Sequence, residues 1–379
     1  VKSSAMKPLG VGWAAVLMTA GLCTSPSPCG GLSLFMRTTW IAELPTDVWR
    51  GWFELIKRGR LEGPASRYYV EELALQNTAC CESHPSGDYK ALGCLGPKCS
   101  ALGLAPNSLL VDELDQMAEY FPLFDKVWIG TTTPENWDPS NASSTREYAA
   151  LQARIGRQFL ARYGEGATVS GSDVKSTNFG WYITNEGSVP EIGMDATERA
   201  VWAPLLNETM HALNAVKPLG EFLWSPSNGD ITPTPEQRTR EEDGLAELLC
   251  ALPHQIRIDF QDWLGQSVSF EFPFAYNYSV AFTCEKDTVP TVAMLKRVAA
   301  RCPDRLVGVK VNAELFAERL NDGEKGEDNG ANIVNADPRE VNARLECYRK
   351  NKLEVGACWA IPHWYSLWTY ANETVYHPY

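Results

Sequence analysis

The sequence predicts an α/β chain closed into a (β/α)8 barrel (TIM barrel) with a disulfide-rich loop insertion. Three observations predict it. Eight short apolar runs, rich in β-branched and aromatic residues, recur along the chain. Stretches with helical period stand between them, the pattern of parallel strands wrapped by helices. The 379 residues suffice for one barrel with insertions, since the bare fold needs about 250. Right-handed crossovers close eight such units into a ring. A doubly wound open sheet is the alternative, but it ordinarily carries a Gly-rich phosphate turn after its first strand, and none appears there.

The elements come in this order. SLFMRTTWIAEL (33–44) reads as the first strand, and PTDVWRGWFELIKRGR (45–60) as an amphipathic helix opened by Pro45 and Thr46. SRYYVEELALQN (66–77) is the second strand. Residues 78–107 are rich in Cys, Gly, Pro and Ser and read as a long loop. SLLVDELDQMAEYFPLF is helical, FDKVWIGTTT is the third strand, and STREYAALQARIGRQFLARYG again has helical period. FGWYITNEG (179–187) is the fourth strand, followed by the helix ATERAVWAPLLNETMHALNAVKP. EFLWSPSNG is the fifth strand and GLAELLCALPHQ its helix. IRIDFQDWLG is the sixth strand and TVAMLKRVAARCP its helix. LVGVKVNAELF (306–316) is the seventh strand. A polar loop at about 321–336 leads to the helix PREVNARLECYRKN and the eighth strand, EVGACWAIPHWYSLW. The barrel therefore occupies 33–379. Residues 1–32 are surplus to it: their short apolar core after Lys7 fits either a secretory signal or an N-terminal extension packed on the domain.

Composition narrows the function classes. A net charge of −13 repels nucleic acid and anionic membranes, and no window is apolar enough to insert into a bilayer. The five His form no metal-binding pair, and the chain has neither a nucleophile elbow nor a phosphate loop. No metal and no cofactor is expected. Eleven Cys, with a cluster at Cys80, Cys81, Cys94 and Cys99, point to disulfides. Four Asn-x-Ser/Thr sequons, at Asn141, Asn207, Asn277 and Asn372, point with them to a secreted glycoprotein. A monomer is expected.

In such a barrel the chemistry lies at the carboxyl ends of the strands. The fourth run ends on Asn185 and Glu186, and the seventh carries Asn312 and Glu314. Two Glu on opposite walls of one pocket are the equipment of glycosidic bond cleavage. Other strand-end candidates are Glu71 or Glu72, Thr131 to Thr133, Trp224, Ser225, Gln261, Asp262, Trp359, His363 and Trp364. Among them Trp224, Trp359 and Trp364 are candidate platforms for sugar rings, and His363 a candidate binding residue at the rim.

These residues carry a resemblance. Asn185-Glu186 and Glu314 resemble the retaining glycosidases of the large barrel clan, whose catalytic Glu residues end strands four and seven. The run Gly180 to Glu186 is also similar to segments of a family of glycoside-hydrolase-type barrels known mostly as a domain of unknown function. So are the run 225–229 (Ser225-Pro226-Ser227-Asn228-Gly229), Gln261-Asp262-x-x-Gly265 and Asn312-x-Glu314-x-Phe316. The resemblance spans about 33–365 and implies a site of Asn185, Glu186, Ser225, Gln261, Asp262, Asn312 and Glu314. The chain departs from it in the Cys-rich loop and in Trp263. The expected protein is a secreted retaining hydrolase of a polysaccharide or glycan. Glu186 is its acid/base, Glu314 its nucleophile, and Asn185 a ligand for a sugar hydroxyl. Two alternatives stand beside it: a carbohydrate-binding barrel without catalysis, and an inverting enzyme in which Asp262 activates water.

Overall fold

The computed structural model describes residues 33–37, 46–63, 69–79, 109, 111–132, 141–165, 167–169, 172–173, 177–228, 233–262, 264, 283–314, 316–320, 331–335 and 338–359. Eight parallel strands form a closed barrel in chain order. They are β1 (Ser33–Arg37), β2 (Glu72–Asn77), β3 (Lys126–Gly130), β4 (Phe179–Ile183), β5 (Phe222–Trp224), β6 (Ile256–Gln261), β7 (Leu306–Glu314) and β8 (Val355–Trp359). β1 pairs in parallel with both β2 and β8, which closes the ring and excludes the open sheet.

Period-two alternation along these strands builds two cores. Ala74, Trp128, Tyr182, Leu223 and Ala357 form a small cluster of their own inside the barrel. Their chain neighbours Leu73, Leu75, Val127, Ile129, Trp181 and Trp224 belong to the large outer cluster, packed under helical side chains. A one-residue slip of any strand would exchange the two sets.

The wrapping helices are α1 (Thr46–Glu62), α2 (Val111–Ala118), α3 (Ala142–Tyr163), α4 (Val189–Met194), α5 (Ala196–Val216), α6 (Pro235–Cys250), α7 (Val289–Arg301) and α8 (Pro338–Lys350). Local chemistry sets their starts. Asn141 accepts the Ser143 amide at the head of α3 (2.9 Å). Thr234 and Gln237 form a capping box on α6, which therefore begins nine residues before the apolar stretch that first marks it. Helix α4 is too short to show a period and has no counterpart among the sequence expectations; Ser188 caps it and Pro190 lies in its first turn. Part of the polar stretch after β7 is not loop: Ala331–Asn335 pairs antiparallel with Phe316–Leu320.

The inner face at the N-terminal end of the barrel is ionic. Arg257 bonds Glu72 through two nitrogens (2.6 and 3.1 Å) and pairs with buried Asp259 (3.2 Å). Trp128 donates Nε1–H to Glu72 (2.8 Å), with the Lys126 ammonium and the Arg257 guanidinium over its ring at 3.9 and 4.8 Å. Lys126 in turn faces Glu221 (3.4 Å). Glu72 is thus a floor residue: β2 begins on it and runs on to Asn77. This corrects its placement at the catalytic rim.

Among the described residues two disulfides join helical segments. Cys250–Cys302 links the ends of α6 and α7, and Cys284–Cys347 ties the turn before α7 to α8. The Cys80–Cys99 cluster lies outside the described residues, as do residues 1–32. Cys284, Glu285 and Cys347 are close enough to suggest a metal site, but the disulfide consumes both thiols. Among the described residues no helix is long and apolar enough to cross a membrane.

Candidate active site

The C-terminal mouth of the barrel collects polar side chains from five strands: Gln76 after β2's apolar stretch, Asn185 and Glu186 beyond β4, Ser225 beyond β5, Gln261 on β6, and Asn312 and Glu314 on β7. β4 and β7 are separated by only two strands, β5 and β6, in the ring. Glu186 is exposed, whereas Glu314 is 1 % exposed.

Beneath the Glu186 turn the chain is held on both sides. Trp224 donates its indole N–H to the Asn185 carbonyl (2.8 Å). Ser227 N–H bonds the Gly187 carbonyl (2.8 Å), and Val189 N–H returns to Ser227 O (2.9 Å). A side chain on Gly187 would strike Ile192 and Trp202 at 2.7 Å, so the turn needs glycine. The Tyr148 hydroxyl, from α3, donates to Asn185 Oδ1 and also contacts Thr132 O (3.0 Å) and Thr184 Oγ1 (3.2 Å). One end of the Asn185 amide is thus spent on Tyr148, and the other is left for a ligand. Gln76 Nε2–H donates to Glu186 Oε1.

Glu314 is anchored by its backbone. Its N–H reaches Asp262 Oδ1 (3.4 Å), and its carbonyl accepts from Arg344 Nη1 of α8 (2.7 Å). Arg344 also donates to Leu264 O (2.8 Å). Asp262 is fully buried; its Oδ1 accepts the Leu264 amide as well (3.1 Å), and its Oδ2 accepts the Tyr348 hydroxyl. Burial pushes the Asp262 carboxyl above the usual carboxylate range, opposed by the charge of Arg344. Burial and then the Asp262 charge push the Tyr348 phenol well up, so it stays a donor.

Between these two anchors lies a hydrogen-bonded layer. Asn312 Nδ2 donates to Ser225 Oγ (2.9 Å), Ser225 Oγ to Asp259 O (2.6 Å), and Gln261 Nε2 to Ser225 O (2.7 Å). Asn312 Oδ1 is buried with no hydrogen-bond partner among the described residues. An acceptor so placed costs about 1–3 kcal/mol unless something donates to it.

Several sequence expectations change. Trp224 is fully buried and faces Trp202 (ring centroids 5.7 Å), so it supports the Glu186 turn and cannot offer a face to a sugar. Ser225 has its hydroxyl spent inside the layer. Asp262 has both oxygens engaged and no solvent contact, which leaves it no means of activating a water. Thr131 and Thr132 are buried; Thr131 donates to Gln152 (2.9 Å). Trp359 pairs with Glu314 through β8–β7 backbone register, while its side chain, His363 and Trp364 lie outside the described residues. Of the sequons, Asn141 caps α3 and is exposed. Asn207 is half-buried on α5 with its partner Thr209 buried, and Asn277 and Asn372 lie outside the described residues. Sequence reasoning missed Gln76, Tyr148, Arg344 and Tyr348. Gln76 was legible as the polar residue closing the run ELALQ. The other three belong to helices, where nothing in the local pattern marks a residue that reaches a strand end.

No protein-family model and no curated protein sequence matches the chain. Among solved structures it is similar to a candidate alpha-L-fucosidase from Bacteroides thetaiotaomicron, at 13% identity and a TM-score of 0.48, over 90% of this chain and 91% of that one. It is similar to an intracellular xylanase from Thermoanaerobacterium saccharolyticum, at 12% identity and a TM-score of 0.42, over 86% and 84% of the two chains. A thermostable mutant of a xylanase from Cellvibrio japonicus aligns at 14% identity and a TM-score of 0.42, over 89% and 87%. Likenesses this distant carry no weight for activity, and the barrel assignment stands on its own strand pairing.

Proposed function

We propose that the chain is a secreted retaining glycoside hydrolase that cleaves O-glycosidic bonds in a polysaccharide or glycan. The observation that carries this is the departure of Glu186 and Glu314 from the C-terminal ends of β4 and β7 of one closed barrel. Glu186, at the exposed rim, protonates the leaving oxygen as the C–O bond breaks. Glu314 attacks the anomeric carbon and forms a glycosyl ester. Water, losing a proton to Glu186, then opens that ester and restores both carboxyls. Asn185, one end of its amide held by Tyr148, offers the other to a sugar hydroxyl. The unpartnered Asn312 Oδ1 suits a hydroxyl donor.

Two experiments test this. Digestion of a glycan panel with the product anomer followed by NMR must give retention; inversion overturns the nucleophile assignment. A 2-deoxy-2-fluoro glycosyl trap must leave its adduct on the peptide that contains Glu314.

A second reading has one observation in its favour. Glu314 is 1 % exposed, which suits a carbohydrate-binding barrel that does no chemistry. Glu314→Gln separates the two: a hydrolase loses turnover and keeps glycan binding, whereas a binding protein shows no turnover before or after the change.

A further inference from the structure

We propose that Gln76 is the positioning residue for Glu186: its side-chain amide, carried across the mouth from the end of β2, fixes which carboxyl oxygen handles the proton. This deepens the hydrolase reading of the same site and rests on it.

Gln76 follows Glu72 and Ala74 on the inward-facing register of β2 and is 2 % exposed. β3 stands between β2 and β4 in the ring, so the bond from Gln76 Nε2 to Glu186 Oε1 spans a whole strand. The close approach of β2 and β3 at this level depends on Gly130. A Cβ there would lie 2.2 Å from the Gln76 carbonyl oxygen and 2.5 Å from that of Leu75. Just beyond, Thr78 donates to Gly130 O through both its amide (3.1 Å) and its hydroxyl (2.8 Å), and the Ala79 amide reaches Thr131 O (3.2 Å). Gln76 therefore projects from a strand end locked to its neighbour, and such a base holds a side chain better than a loop does.

The choice of an amide has chemical content. A Lys or Arg in this place would hold Glu186 as a permanent anion. A neutral N–H on Oε1 favours the charged form only modestly, so this contact by itself leaves the carboxyl able to gain and lose a proton. With Oε1 accepting from Gln76, the O–H belongs to Oε2. Oε2 is then the oxygen that gives the proton to the leaving group and takes one from water.

The test uses the full chain labelled with carboxyl-13C glutamate, the Glu186 signal being identified by its loss in Glu186→Gln. In Gln76→Met, of similar length but with no N–H, Glu186 is expected to titrate about one pH unit higher, because a donor to the charged form is gone. Gln76→Glu, which adds a second carboxylate, moves it higher still. With a cleaved substrate, kcat falls roughly 10- to 100-fold, KM changes little, and the basic limb of the pH profile rises with the NMR value. Unchanged titration of Glu186 in both variants overturns the proposal. Should Gln76→Met fail to fold, Gln76→Asn, one carbon too short to reach, carries the same comparison. If no glycan is cleaved by the unaltered protein, the hydrolase reading fails while the NMR titration still decides the contact.

Discussion

At the N-terminal end of the barrel Glu72, Lys126, Glu221, Arg257 and Asp259 meet opposite charges. At the C-terminal end, Glu186 accepts from the Gln76 amide, and Asp262 accepts from the Tyr348 hydroxyl and backbone N–H groups with the Arg344 charge close by. The difference is one of switchability. On the floor burial opposes the Arg257 charge, yet Asp259 and Glu72 hold it firmly protonated, while burial pushes Asp259 up and Lys126 down from their ordinary ranges; these groups face each other and serve structure. At the mouth a neutral donor favours the charged form less than a cation would, which suits a group that must carry a proton in one step and not in the next. Floor substitutions should therefore cost stability and spare chemistry, and rim substitutions the reverse.

The largest effects are expected at the rim. Glu186→Gln should lower kcat by about 10²–10⁴-fold, the range for losing a general acid/base, and Glu314→Gln should leave no measurable turnover. Both should unfold within a few degrees of the parent protein. A stability loss as large as the activity loss would erase the contrast between the two ends. On the floor, Arg257→Met removes the guanidinium that Glu72 and Asp259 share. Breaking a buried pair from one side costs about 3–5 kcal/mol, toward the lower end here because Glu72 is partly open to water. Thermal unfolding should show the loss, and kcat measured well below the new Tm should hold.

How much of this contrast could be read from the sequence depends on the range of the interactions. The eight strands were legible because an apolar run rich in β-branched and aromatic residues is a local signal; which of Val127 and Trp128, or of Trp181 and Tyr182, faces the barrel interior was not, since both faces are buried. Glu186 and Glu314 were legible because each closes an apolar run. The floor was not: Arg257 and Glu72 meet only once β2 and β6 stand across the ring, and no spacing announces a partner so far along the chain. The same limit misplaced Glu72 by several residues, since VEELALQ does not mark where the strand starts, and it made a platform of Trp224, whose outward register only the closed barrel reveals. Asp262 looked catalytic as a strand-end acid, and the helix-borne Tyr348 and Arg344 that claim it were beyond local pattern.

Where a buried charge has only one partner, the floor's logic can be tested at its weakest. Glu241 on α6 is fully buried and bonded by Arg238 (3.0 Å), which in turn reaches Thr291 (2.9 Å). Burial raises its pKa from 4.5 to about 7 despite that cation. The folded state thus holds a proton that the unfolded chain has released. The contribution of Glu241 is fully present below about pH 4.5 and is lost as pH rises through about 7, by on the order of 3 kcal/mol. Comparing Tm against pH for the parent and Glu241→Gln isolates it: the parent should fall between pH 5 and 8 relative to the variant. Parallel curves would show that one arginine suffices.

The smallest effect should come from Tyr348→Phe, and it tests whether the mouth is held by its neutral donors. Without the hydroxyl, Asp262 Oδ2 loses a donor in a site closed to water, while Oδ1 keeps the Leu264 and Glu314 amides. Deleting one partner of a buried carboxyl costs about 1–3 kcal/mol. The near end of that range applies, because Arg344 still offsets the charge. Asp262 does not touch substrate in this arrangement. It acts on chemistry only through the Glu314 backbone, so kcat should fall a few-fold with KM unchanged, and trapping at Glu314 should slow by the same factor. A loss of stability with full trapping rate would make Tyr348 a packing residue alone, and the mouth would then owe the placement of Glu314 to Arg344, whose two bonds to the Glu314 and Leu264 carbonyls survive the change.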